Sequence, residues 1–244
     1  MDDALELIDY LPLSFKTESE EEYIKFLWDA FESNYNSEKF EFASLAYHLL
    51  YMSFISFSIW QIRVARKSEF KHALIGFQAE SENKLLNAAT PFMFYEQLKE
   101  SQIFRFLKII GCTNEQVGEF SKFVRRRNKI AHPSGSVFFN DQIIIDTDIT
   151  EMLKEVSNIQ IHMKPIILDV YKCFLENSAD LDEREYADAN DQIREVLIHL
   201  HYFSQKDIEI CCDFDITTLP MQEHPESIHE LHSSLNLQYK NRND

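Results

Sequence analysis

Apolar residues recur at helical intervals along most of this 244-residue chain. From Glu20 to Tyr35, the residues Tyr23, Phe26, Leu27, Ala30 and Phe31 share one face, acids fill the first turn and Ser19 stands where an N-cap belongs, so the spacing predicts a helix. A second helix is expected from Glu38 to about Lys67, apolar on more than one face and therefore buried. Asn36 and Ser37 supply the turn that sets the two antiparallel. Between Ser68 and Ala89 the pattern weakens to a short helix, a break near Gly76 and another helical piece. Thr90-Pro91 restarts a helix running to about Glu100. Ile103 to Ile110 follow as a short helix stopped by Gly111. Asn114 caps a helix over Glu115–Ala131, with Val117, Phe120, Ser121 and Val124 facing inward and Pro133 beyond its end.

After Gly135 the period changes. Val137-Phe138-Phe139 and Gln142-Ile143-Ile144-Ile145 flank Asn140-Asp141, two β-prone runs around a two-residue turn, so a small hairpin is expected. Thr147 or Asp148 then caps a long helix to about Leu175, kinked at Pro165. A helix over Ala187–Phe203 comes next, Ser204–Asp215 reads as irregular or a short strand, and residues 215–244 hold at most one weak helix. The whole reads as an all-α fold with a small β-hairpin insertion after the helix that ends at Ala131, divided into a helical domain, 1–175, and an acidic helical extension, 176–244.

Charge sharpens that division. The chain carries 24 basic and 41 acidic residues. Residues 1–22 have eight acids and one base, and residues 176–244 have sixteen acids and five bases, leaving the middle near neutral. Such a balance disfavours loose wrapping of duplex nucleic acid. Only 4 glycines are present, and neither G-x-G-x-x-G nor a P-loop exists, which excludes the nucleotide-binding classes built on those loops. Four cysteines without a C-x-x-C pair fit a reducing compartment, and an acidic start does not resemble a signal peptide, so a cytoplasmic protein is expected. Residues 42–62 carry no formal charge, long enough to span a bilayer. Their serines, Gln61 and His48 are costly in hydrocarbon, and a buried core helix with no membrane role is the simpler reading.

One dense basic cluster remains, Lys122, Arg125, Arg126, Arg127 and Lys129, followed at once by His132. A guanidinium can hold a phosphate bidentately, and an imidazole titrating near neutrality can move the proton of a ribose 2′-hydroxyl or of a leaving 5′-oxygen. Neither role needs a metal or another cofactor, and none is expected. At about 100° per residue, Arg127 and His132 lie about 140° apart on a helix, whereas Asn128 and Arg125 fall near the azimuth of His132. His132 precedes proline and so leaves the helical path, which lets its side chain swing toward Arg127.

The run Arg127-Asn128-Lys129-Ile130-Ala131-His132 resembles the R-N-x-x-x-H form of the R-x4-6-H signature of the HEPN superfamily, placed as there near the end of a late helix in an all-α domain. The resemblance covers about residues 20–175 in helical order, with six residues carrying the specific match. It implies a helical bundle, a homodimer with paired motifs and metal-independent RNA cleavage, as in toxins of toxin–antitoxin pairs and antiviral defence effectors. By the same resemblance Arg127 binds the phosphate, His132 is the acid/base and Asn128 orients one or the other. Lys122, Arg125, Arg126 and Lys129 would add RNA contacts. The H-x-Y tripeptide of one toxin branch is His132-Pro133-Ser134 here, so control by tyrosine modification is not carried over.

Two other readings stand beside it. A non-catalytic helical module of the same fold would bind a partner protein or RNA, such as an antitoxin or regulatory protein, and the net charge of −17 favours it. Alternatively the acidic 176–244 region lies over the basic cluster as an internal mimic of RNA. Arg63 and Arg66 either line the same groove or serve the C-terminal dipole of their helix. Cys211 and Cys212 with His199 and His201 make a poor zinc set, because adjacent cysteines suit tetrahedral ligation badly.

Overall fold

The computed structural model describes residues 2–131, 141–219 and 224–240. Among them the chain is all-α, and the one β-type pairing is an isolated antiparallel bridge between Pro12 and Ser204. Two compact units form, Met1–Ile8 with Thr17–His162 and Asp9–Lys16 with Met163–Asp244. The division falls inside a long helix, whereas the sequence expectation set it between residues 175 and 176.

In the first unit, α1 (Glu18–Asn36) and α2 (Phe40–Ala65) are the packed pair that the apolar spacing predicts. The cap of α1 is Thr17 rather than Ser19. Its hydroxyl accepts from the Glu20 amide and the Glu20 carboxylate accepts from the Thr17 amide, a reciprocal box that a Ser19 cap could not complete with Glu20. Phe31 of α1 meets Tyr47 of α2 with ring centroids 5.0 Å apart, both at most 1% exposed. Each buried ring contributes on the order of 2–3 kcal/mol of transfer free energy. Among the described residues α2 is the one helix long and apolar enough to cross a membrane, and 78% of its most apolar window is buried inside the protein. Its buried serines return their hydroxyls to carbonyls one turn back, as Ser56 does to Met52 at 3.0 Å, so they need no other partner.

Beyond α2 come α3 (Lys67–Ala73) and α4 (Ala79–Leu86), separated near Gly76, which takes the left-handed conformation at φ 96°. Arg63 closes the end of α4 by donating to the Leu86 carbonyl at 2.8 Å and stacks on Trp60 at 3.9 Å. The continuous helix expected over 90–100 is instead a broken segment: a 3-10 turn at Pro91–Met93, one turn at Phe94–Gln97, extended Leu98, one turn at Glu100–Ile103 and a 3-10 stretch at Phe104–Ile110. Gly111 ends that stretch at φ 85°, a backbone that suits glycine. Next, α5 (Asn114–Ala131) carries the motif, and α6 (Gln142–Asn177) runs on into the second unit.

The hairpin is a correction. Val137–Phe139 lie outside the described residues, and Gln142–Ile145, the expected second strand, form the first turn of α6. Asp141 caps that turn, its carboxylate accepting from the Ile144 amide at 2.8 Å. Ile145, Ile149, Met152 and Val156 are then buried at helical spacing, so tertiary burial overrides the β-propensity of three consecutive isoleucines.

In the second unit, Ala189–Gln192 continues as a π-helical Ile193–His199, and Tyr202 turns the chain at φ 54°. Ser204–Asp215 is also corrected, because α7 (Gln205–Cys212) occupies it behind a buried Ser204/Asp207 capping box. Cys211 and Cys212 belong to the buried face of α7, where burial pushes both thiols up, Cys212 to about 11. The late helix is α8 (Pro225–Tyr239), with Ile228, Leu231, Leu235 and Tyr239 buried. Arg184, its side chain fully buried, ties α8 to the chain after α6.

Candidate functional site

The site is built on α5, and two local devices fix that helix. Thr113, one residue before the expected cap, accepts from the Gln116 amide at 3.2 Å while the Gln116 side chain accepts from the Thr113 amide at 2.8 Å. Phe120, Phe123 and Val124 are buried, and the Phe120 carbonyl accepts from the Tyr51 hydroxyl of α2 at 2.9 Å. Arg127 comes three residues after Val124 and seven after Phe120, so helical geometry brings it onto the same inward stripe. Its side chain is accordingly only 22% exposed. Arg125 points to the other side and is exposed, as is Lys129, while Asn128 is half-buried.

The inward and flanking cations meet carboxylates of their own unit. Arg127 donates Nη2 to Glu100 Oε2. Arg126 donates Nη1 to Asp148, and its Nη2 lies 2.8 Å from Glu151. Lys122 stands 3.1 Å from Glu119 and 3.4 Å from Glu151. Among the described residues Arg125 and Lys129 have no ion pair. The cluster is therefore largely neutralised by residues 100, 119, 148 and 151, all of the first unit.

Glu100 links the motif helix to the core. Its Oε2 also takes His48 Nε2 at 3.2 Å, and His48, on α2, is 1% exposed. Burial works to raise the Glu100 carboxyl but is outweighed by the hydrogen bonds and charges of His48 and Arg127, which hold it down to about 2. Burial pushes His48 the opposite way, toward the neutral form. The neighbouring Tyr23 hydroxyl is pushed up by burial and then by the Glu100 charge. Within the Glu100 group, His48 Nδ1 and Arg127 Nε are buried without a hydrogen-bond partner among the described residues.

Of the sequence-predicted residues, the structure brings Arg127 to a half-sealed anion-facing position and sends Lys122 and Arg126 to a neighbouring acidic pair. It leaves Arg125 and Lys129 at the surface. His132 lies outside the described residues. His48 and Glu100 were missed: an imidazole in a run of 21 uncharged residues must find a partner, but no helical period relates positions 48, 100 and 127. Among the described residues no group of three His, Cys, Asp or Glu side chains gathers as a metal-ligand set. No protein-family model, curated protein or solved structure matches the chain.

Proposed function

We propose that this protein is a metal-independent endoribonuclease of the HEPN type, a cytoplasmic toxin or defence effector acting as a homodimer. The observation that carries the reading is Arg127, the first residue of the motif, held at the solvent edge near the end of α5 in an all-α unit, with its Nε buried and unmatched among the described residues. In the reaction the ribose 2′-oxygen attacks the adjacent phosphorus and the 5′-oxygen leaves, giving a 2′,3′-cyclic phosphate and a 5′-hydroxyl. His132 transfers a proton in that exchange, Arg127 holds the non-bridging oxygens as charge builds on them, and Asn128 orients one of the two. Lys122, Arg125, Arg126 and Lys129 add contacts to flanking phosphates.

The test is incubation of wild type and His132→Ala with a mixed tRNA and mRNA pool in EDTA, reading cleavage and end chemistry. Cleavage by wild type alone, leaving cyclic phosphate ends, is expected; cleavage by both would remove His132 from the site. A second reading is favoured by the pairing of Lys122, Arg126 and Arg127 with carboxylates: the unit is a non-catalytic module that binds an antitoxin or regulatory protein. Absence of cleavage by wild type, with binding to such a partner, would establish it.

A further inference from the structure

We propose that Arg127 and His48 form an anion-binding site whose resident occupant is the chain's own Glu100 carboxylate, and that an RNA phosphate enters by displacing it. The inference rests on reading Arg127 as the phosphate-binding residue. Its first support is the incomplete match between Arg127 and Glu100. A guanidinium presents five N–H donors and binds a carboxylate best as a fork, two parallel bonds to two oxygens. Here Arg127 offers Nη2 to a single oxygen, Oε2, which His48 Nε2 also takes at 3.2 Å, and Arg127 Nε stays buried without a partner among the described residues. An anion with three oxygens directed toward the pair can engage Nη2 and Nε of Arg127 together with the His48 N–H.

The second support is where the pair sits. The Arg127 and Glu100 side chains are 22% and 23% exposed, so exchange of one anion for another faces water, while His48 is sealed at 1%. Glu100 begins a single helical turn, Glu100–Ile103, just after the extended Leu98 and the capping Lys99. Rotation of its side chain therefore withdraws the carboxylate without unwinding α5. The third is the charge balance. Lys122 and Arg126 are occupied by Glu119, Asp148 and Glu151, so Arg127 is the inward cation whose release turns a neutralised surface into a phosphate site.

The test measures binding of two probes, inorganic phosphate and a 2′-O-methyl oligoribonucleotide, which lacks the nucleophile and so reports occupancy without cleavage. Glu100→Gln keeps the acceptor for His48 and removes the competing charge. It should tighten both probes about tenfold over wild type, with Glu100→Asp in between. Glu115→Gln, an exposed site with the same change in net charge, should match wild type, and Arg127→Gln in the Glu100→Gln background should abolish the gain. Unchanged or weaker binding by folded Glu100→Gln, or a gain that survives loss of Arg127, would overturn the proposal. If Glu100→Gln does not fold, Glu100→Asp decides; if neither folds, Glu100 is a structural tie and the proposal is wrong. RNA cleavage that requires His132, without a gain in Glu100→Gln, would refute the displacement and leave the nuclease standing. The gain without cleavage would do the reverse.

Discussion

Arg184 in the second unit and Arg127 in the first each face a glutamate, yet their hydrogen bonding differs. Arg184 has a fully buried side chain and uses every nitrogen: Nε donates to the Ser178 carbonyl at 2.7 Å, Nη1 and Nη2 each reach Glu230 at 3.2 Å, and Nη2 also touches the Ser227 carbonyl at 3.5 Å. Arg127 is partly exposed and bonds one oxygen of Glu100, with Nε unmatched among the described residues. A saturated guanidinium with no route to water has nothing left to offer a ligand and serves as a tie between segments. An unsaturated one on a partly exposed side chain retains an unmatched donor. The contrast separates an arginine saturated within the protein from one with a donor left unmatched, where charge count alone does not.

Removing each arginine in turn should give the largest difference between the two. Arg184→Met leaves Glu230 at the surface but strips the Ser178 and Ser227 carbonyls of their donor in a buried setting, and should lower stability by about 3 kcal/mol. Denaturant unfolding reads that loss, and RNA binding measured below the transition should be unchanged. Arg127→Gln should lower stability by only about 1 kcal/mol, since Glu100 keeps His48 and water, while removing RNA cleavage and binding. That smaller loss has a pH signature. His48 and Arg127 together hold the Glu100 carboxyl below its ordinary value of 4.5, at about 2, so the share of that stability owed to Arg127 is present in full above pH 4.5. The gap between wild type and Arg127→Gln should therefore close as the pH falls through about 2. Thermal midpoints of the two proteins across that window check the sign. The smallest effect belongs to the exposed side of α5: Arg125→Gln should change stability by less than about 0.5 kcal/mol and weaken RNA binding slightly and evenly across sequences.

What the chain reveals before folding follows from which forces are local. The α1–α2 pair and α5 were legible because their apolar residues repeat at the helical period. Gly111 was legible as a stop because few residues tolerate φ 85°. The start of α6 was misread because Ile143–Ile145 favour strands by residue type. The deciding facts, the Asp141 cap and burial of one isoleucine in three, depend on what packs against them. α7 was misread because its short apolar stretch shows a helix only once Ser204 and Asp207 are seen to cap each other. At the site, the arginine was visible and its partners were not. His48 and Glu100 reach it through tertiary packing from a different helix and a broken segment, which leave no mark in the spacing of the motif.

The most direct measurement is an NMR titration of arginine Nε–H signals in the wild-type protein with the 2′-O-methyl oligoribonucleotide, assigned by Arg127→Gln and Arg184→Met. The account predicts that the Arg127 signal shifts with RNA while the Arg184 signal stays in place. A silent Arg127, or an Arg184 that responds alongside it, would contradict the claim that Arg127 is the anion-binding arginine of this fold.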